Sequence, residues 1–529
     1  MENKEEIHTP ETNAEAKSRK NIKLGAVLGY VGFAINILYG LFFTPWILEV
    51  VGDSSYGVYT VAMSVINLFL LDFGLSTTTN AYLAKYRATH DQESANRYCG
   101  VVLKTYLILD AILAAIFLTL FFTIEFIYQG LNPEEIASLK GVFLIVALFS
   151  LVSFPSTIFK GVLESYEEFA FIKAVTIGEK LLTTALSAGA LLLGFGIYGV
   201  VGSHAICGTI TVILHIVFVR KKTTIRLSLK EKMDWSFLKP IFSFSIFSFL
   251  VSIGSRFVFT ISPTILGIVS NSAEAGMFGV ASQIEGYIYT FGAILSSFFI
   301  PSIARINELG GESPWKLQEL AIKIGKIQLF FIGLILVGFA CCGEEFVTLW
   351  LRKTEYNRQT VYILILLVSA YQLFFVPESI LWTAMLTKKE GVKALAVFSL
   401  SRALLNVIVG FALSYFFGAL GMCISICAIR LLGIIAENSL YKRVLKVSPL
   451  SFFGAVFPKA LPAIVIALGT GLTMHFLLPL DTLPRLLVIG CSVVLVYVPL
   501  SLLNLPKGWK TILFKGKKGN EPQIEREGE

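Results

Sequence analysis

"PWILEVVGDSSYGVYTVA" (45–62) has a counterpart later in the same chain, "PTILGIVSNSAEAGMFGVA" (263–281). Pro45 matches Pro263, and Ile47-Leu48 matches Ile265-Leu266. Gly57-x-Tyr59-x-Val61-Ala62 matches Gly276-x-Phe278-x-Val280-Ala281. The offset is 218, and becomes 219 after one inserted residue. Further on, "PSTI" (155–158) matches "PESI" (377–380), and "GIYG" (196–199) matches "GALG" (418–421), both at an offset of 222. Membrane helices resemble one another by composition alone. Matched prolines and glycines at a nearly constant offset instead mark an internal repeat.

Composition says what is repeated. The chain has 529 residues, 55% hydrophobic and 15% charged. A soluble protein of that size could not hide so much apolar surface. Runs of about 20 apolar residues recur along the chain, so it is read as an all-α, polytopic membrane protein. About fourteen spans are expected, at 24–49, 57–84, 101–124, 141–164, 171–195, 197–219, 240–267, 276–303, 327–350, 360–386, 392–416, 418–440, 455–478 and 484–505. Each repeat copy then holds six spans. Six is even, so the copies share one orientation and are related by an axis along the membrane normal, around a central cavity that opens to each side in turn. Spans 13 and 14 lie outside the repeat.

Charge orients the spans. With the termini and every second loop inside, 35 of the 44 Lys and Arg residues are cytoplasmic. Outside lie Lys140, Arg352, Lys353, Arg358 and Arg485, and within spans lie Lys180, Arg256, Arg402 and Arg430. This bias predicts a multi-pass membrane protein with both termini cytoplasmic. The expected organisation is a tail (1–23), a six-helix bundle (24–220), an inter-bundle loop (221–239), a second bundle (240–445), two added helices (446–505) and a C-terminal tail (506–529). Both tails are polar, and the first lacks a signal-peptide pattern.

The net charge of +8 belongs to basic loops and does not point to nucleic acid. No DxD, HExxH, GxSxG or P-loop sequence occurs, and no loop is long enough for a catalytic domain. The chain is therefore not expected to be an enzyme, nor to hold a metal or cofactor. Cys423 and Cys427 share a helix face, as small packing residues between membrane helices do.

The stretch "FFTPWILEVVGDSSYGVYTVAMSVINLFLLDFGLSTTTNAYLAKY" carries a proline in the first span, a Gly-x-Tyr after the first external turn and a "DFGL" in the second. It resembles the start of the polysaccharide-transporter flippases, the Wzx-like branch of the multidrug/oligosaccharidyl-lipid/polysaccharide exporter superfamily. "AGMFGVASQIEGYIYTFGAILSSFFIPSIARINE" is similar to the start of that family's second half. The resemblance covers about residues 22–445. It implies a MATE-like, alternating-access carrier that moves an undecaprenyl-diphosphate-linked oligosaccharide from the inner to the outer leaflet for surface polysaccharide synthesis. It implies as partners membrane lipids, and a polysaccharide polymerase and glycosyltransferases acting on the same lipid. The alternatives are a lipid II-type flippase and a cation-coupled multidrug exporter. Fourteen spans resemble the lipid II flippases, where the last two helices line a groove for the lipid tail. Those proteins carry basic residues in the first span, whereas this one has Asn36 and tyrosines.

A diphosphate crossing a bilayer needs buried cations. Lys180, in "IGEKLLTTALSAGALLLG" (177–194), lies near mid-depth, and the offset of 222 carries it onto Arg402. The two are expected to clamp the diphosphate, with Arg256 as a third cation. Arg430 lies near Glu437 and is read as structural. With no ATP-binding motif, an H⁺ or Na⁺ gradient is the expected energy source, acting through a membrane carboxylate. The candidates are Asp72, Asp110, Glu285 and Glu378, of which Asp72 and Glu378 are preferred. Glu179 has no counterpart in the second copy. His204 and His215 are too isolated for a proton relay.

Overall fold

Apolar sequence of this length in a bilayer must satisfy its backbone within each segment, which leaves the α-helix. The computed structural model describes residues 13–69, 75–226, 235–307 and 313–505, and its regular elements there are all helical. In chain order they are α1 (Asn13–Leu38), a π-helical turn (Tyr39–Phe43), α2 (Thr44–Val51), α3 (Asp53–Phe69), α4 (Leu75–Ala88), α5 (Gln92–Ile127), α6 (Pro133–Ser165), α7 (Phe169–Leu192) and α8 (Gly196–Lys222). There follow α9 (Trp235–Val269), α10 (Ser272–Ser297), α11 (Ile300–Asn307), α12 (Ser313–Trp350), α13 (Arg358–Ala370), α14 (Gln372–Leu386), α15 (Lys389–Leu440), a second π-helical turn (Tyr441–Leu445), α16 (Pro449–Val456), α17 (Leu461–Leu477) and α18 (Thr482–Leu502).

Among the described residues, ten helices are long and apolar enough to cross a membrane, or eleven if the bent pair α16 and α17 forms one span. This is fewer than the fourteen expected. Part of the difference lies in α15. Its 52 residues would extend about 78 Å at 1.5 Å per residue, more than twice a hydrocarbon core. Gly418 breaks it, with φ +55 and ψ −137, a conformation that glycine adopts without penalty. α15 is therefore two spans in one continuous element. The expected second span (57–84) crosses residues 70–74, which lie outside the described set. The expected eighth (276–303) falls on α10, which carries Ser282, Gln283 and Glu285 among its apolar residues.

The chain packs into two compact units. One comprises Met1–Gln283, Trp350–Leu364 and Leu395–Ile426; the other comprises Ile284–Leu349, Ile365–Ala394 and Cys427–Glu529. Packing thus groups the helices differently from the sequence halves at 24–220 and 240–445. The reason is local: α9 lies against α3. The Ser64 hydroxyl donates to the Thr260 carbonyl at 2.5 Å and lies 2.6 Å from the Thr264 hydroxyl.

The repeat's glycines mark the same seam within the first unit. A methyl group at Gly57 would collide with the Ser272 carbonyl, and one at Gly276 would collide with the Tyr356 hydroxyl and come within 3.3 Å of the Gly57 Cα. The two matched glycines therefore face each other where the backbones nearly touch. Around them, Glu135 accepts from Ser54 at 2.6 Å and from Ser272, and Tyr356 donates to the Asp53 carbonyl at 3.1 Å.

Candidate functional site

In the first unit the site begins at Pro45. Proline removes the N–H that the Leu41 carbonyl would take one turn on, and its ring crowds that carbonyl. The chain answers by widening to a π-turn over Tyr39–Phe43, closed by the Thr44 N–H on the Tyr39 carbonyl. The indole N–H of Trp350 donates to the Leu41 carbonyl at 3.0 Å. The widened turn carries Tyr39, and Lys180 is seated on it, with Nζ 3.3 Å from the ring centroid.

Lys180 is the twelfth residue of the 24 in α7, midway along the helix. α7 packs against α1 and α8, so both neighbours can reach its polar residues. The adjacent Glu179 points elsewhere: it accepts a 3.0 Å hydrogen bond from Thr211 of α8. The two charges that stand together in the sequence are thus served by different helices. Neighbours on a helix diverge by about 100°, so this separation is what the geometry demands. A ring face holds a cation by roughly 0.5–1 kcal/mol at an exposed site and by about 2 kcal/mol when the pair is desolvated.

Arg256 and Arg402 are held likewise. Arg256 Cζ lies 4.4 Å from the Phe259 centroid, and Arg402 Cζ lies 5.1 Å from that of Phe398. Arg402 is buried and Arg256 half-buried. Their helices meet at Gly254, where a methyl group would come within 2.6 Å of the Ser399 backbone. Arg256 stands two residues beyond that crossing on α9, and Arg402 three residues beyond it on α15. The structure thus ties Arg402 to the helix of Arg256, and Lys180 to the first helix. Asp110, on α5, is half-buried, and its Oδ1 has no hydrogen-bond partner among the described residues. Asp72 lies outside the described residues.

The second unit holds the other two acids. Glu285 of α10 is 0% exposed. One of its oxygens accepts from the Tyr371 hydroxyl and from Gln372 Nε2, both at 2.6 Å. Tyr371 and Gln372 sit at the break between α13 and α14, which turns two consecutive side chains onto one carboxylate. Arg430 Cζ lies 5.1 Å from the Tyr371 centroid. Arg430, read from sequence as structural, therefore belongs to the surroundings of Glu285. Glu378 follows Pro377 in α14 and is 1% exposed; both its oxygens accept from Asn438 Nδ2, at 3.1 and 3.3 Å. Beside it, Gln328 Nε2 donates to Ser296 and Ser379, each at 2.9 Å.

Tyr39, Tyr371, Gln372 and Asn438 were not expected at the site. The tyrosines of the first span were noticed only as the place where a cation was lacking. Among the described residues no group of three or more His, Cys, Asp and Glu side chains could hold a metal ion. The arrangement offers aromatic-held cations in one unit and hydrogen-bonded, buried carboxylates in the other.

The chain is similar along most of its length to several known proteins. The curated sequence "Uncharacterized membrane protein EpsK" of Bacillus subtilis (strain 168) is 21% identical over 484 residues, covering 88% of this chain and 92% of that one. Among solved structures, "Lipid II flippase MurJ, inward closed conformation" matches with a TM-score of 0.72 at 13% identity, covering 93% of this chain and 99% of that one. An inward-facing multidrug resistance MATE family transporter matches with a TM-score of 0.59 at 15% identity, covering 78% and 94%. The fold is therefore that of the MurJ and MATE transporters of the MOP superfamily. The family described as "Polysaccharide biosynthesis protein" matches residues 23–307, more than half of the chain. With that match, the chain belongs to the polysaccharide biosynthesis protein family, the Wzx-like flippases.

Proposed function

We propose that this flippase is a secondary-active carrier of an undecaprenyl-diphosphate-linked oligosaccharide, moving it from the inner to the outer leaflet for surface polysaccharide synthesis. The observation that carries this reading is the trio Lys180, Arg256 and Arg402, seated on aromatic rings within one unit. A diphosphate brings at least two negative charges into a medium that rejects them, and three cations within one unit supply charge of the opposite sign. An exporter of cationic drugs would gain nothing from this set.

Coupling is assigned to the acids, with Glu285 and Glu378 foremost. Both are buried within the second unit and accept hydrogen bonds from side chains there, where gain or loss of a proton or of Na⁺ acts directly on the packing. The lipid II reading is kept as a second possibility on one observation. The first span lacks a basic residue of its own, yet Lys180 is delivered onto Tyr39 in that region.

A deletion strain separates these readings. Accumulation of a lipid-linked surface-polysaccharide repeat unit supports the proposal. Accumulation of lipid II transfers the protein to the second reading, and accumulation of neither refutes both. Complementation with Lys180→Ala and Arg402→Ala together should restore no more than a small fraction of export; full export by that protein would remove the cations from the mechanism.

A further inference from the structure

The second unit carries a groove that neither the cations nor the coupling acids require. It has a volume of about 510 Å³ and is walled by Leu431 and Ile435 of α15 and by Leu450 and Phe453 of α16. Its surface is overwhelmingly apolar, but one end holds Lys442, and Asn438 stands one turn deeper. The cause lies in the chain. The π-turn Tyr441–Leu445 rotates Lys442 off the α15 register, and Lys446 then adopts a left-handed φ of +55, which ends the helix. Ser448 caps α16 by accepting from the Ser451 N–H at 3.3 Å. The short helix that follows is bent by 50° from α17 and leaves Leu450 86% exposed.

Three observations define an occupant. The walls are apolar, so it has a hydrocarbon part. Lys442, Arg443 and Lys446 stand exposed within five residues, so its polar part is anionic. Asn438 Oδ1 is buried on the groove wall with no hydrogen-bond partner among the described residues, while its Nδ2 is committed to Glu378. That oxygen is closed off from the groove and Nδ2 is taken, so nothing one turn below Lys442 calls for a polar group and the occupant there is hydrocarbon. We infer that the groove binds one anionic glycerophospholipid of the membrane, its phosphodiester on Lys442 and its chains along α15 and α16. The groove itself contributes a single cation, which suits one phosphodiester charge rather than a diphosphate. Through Asn438, the occupied groove touches the partner of Glu378.

The test uses the purified full-length protein in neutral detergent, titrated with phosphatidylglycerol or phosphatidylcholine and observed by native mass spectrometry. The wild type should retain one phosphatidylglycerol more tightly than phosphatidylcholine. Lys442→Ala should reduce that preference about five-fold, the worth of one interfacial lysine, and Lys442→Arg should restore it. Leu431→Trp, which fills the groove, should abolish retention of both lipids. Melting temperatures without lipid identify any variant that has merely misfolded; Lys442→Ala, at an exposed position, should melt with the wild type. Equal retention of both lipids by the wild type, or an unchanged preference in Lys442→Ala, overturns the inference. So does displacement of phosphatidylglycerol by undecaprenyl diphosphate at equimolar concentration, which would assign the groove to the cargo.

Discussion

At the scale of single residues, the positions that carry the proposed chemistry are held by partners of different kinds. Lys180 rests on Tyr39, so Tyr39→Leu should slow export about ten-fold or more, the worth of a desolvated cation–ring contact. Export assayed in cells that retain normal membrane levels checks this; unaltered export would mean that the ring only fills space. Asp53 gives a pH prediction outside the membrane spans. Burial first, and the neighbouring Glu355 second, push its carboxyl up to about 6 from 3.8. The folded state therefore holds a proton that the unfolded state releases near pH 4. The contribution of Asp53 is most favourable below pH 4 and is lost as pH rises through about 6. Asp53→Asn should flatten that part of the stability profile, measured as melting temperature between pH 4 and 7; an unchanged slope would exclude Asp53 as its source. Lys180 and Glu285 are legible in the sequence because charge in an apolar run is conspicuous. Tyr371, Gln372 and Asn438 could not, because an uncharged polar residue in a span gives no hint of what it faces. Glu179 looked unexplained for the same reason: Thr211, its partner, is 32 residues away on another helix.

At the scale of elements, proline and glycine decide where helices bend and touch. The proline in the first span was legible as a kink. That it would widen the preceding turn and bring Trp350 onto Leu41 was not, since that contact joins residues 309 apart. Trp350→Phe keeps the packing and removes the donor. It should cost roughly 1–3 kcal/mol of stability, the penalty for a buried carbonyl left without that partner, read as a lowered melting temperature of the purified protein. A melting temperature equal to the wild type's would show that another group takes over. Glycine explains the length of α15 in the same way. The sequence divides this run into two expected spans, 392–416 and 418–440, and the backbone angle at Gly418 falls at that division.

At the scale of the whole molecule, the charge bias, taken with the fourteen spans expected from sequence, predicts sidedness. Cysteines placed at the exposed positions 226 and 129 should react with an impermeant label from opposite faces of the membrane; labelling from one face would refute the topology. Secondary-active transport predicts that a protonophore or removal of sodium slows translocation in vesicles, and indifference to both would indicate exchange without coupling. The fold was legible because hydropathy and the repeat act over hundreds of residues, where local exceptions average out. The packing into units was not, since it depends on which faces of α3 and α9 meet, and hydropathy is blind to faces in a helix that is apolar all round.

The contact between Gly57 and Gly276 sets a rule of inheritance for the chain. Neither position has room for even a methyl group, and each is crowded by backbone or by a fixed tyrosine. The halves differ elsewhere, as Lys180 and Arg402 do in chemistry, but at this point each leaves the other no room for a side chain. A chimera joining the first half of one such protein to the second half of another should assemble only where both parents bring glycine to the seam, however dissimilar the rest of their sequences.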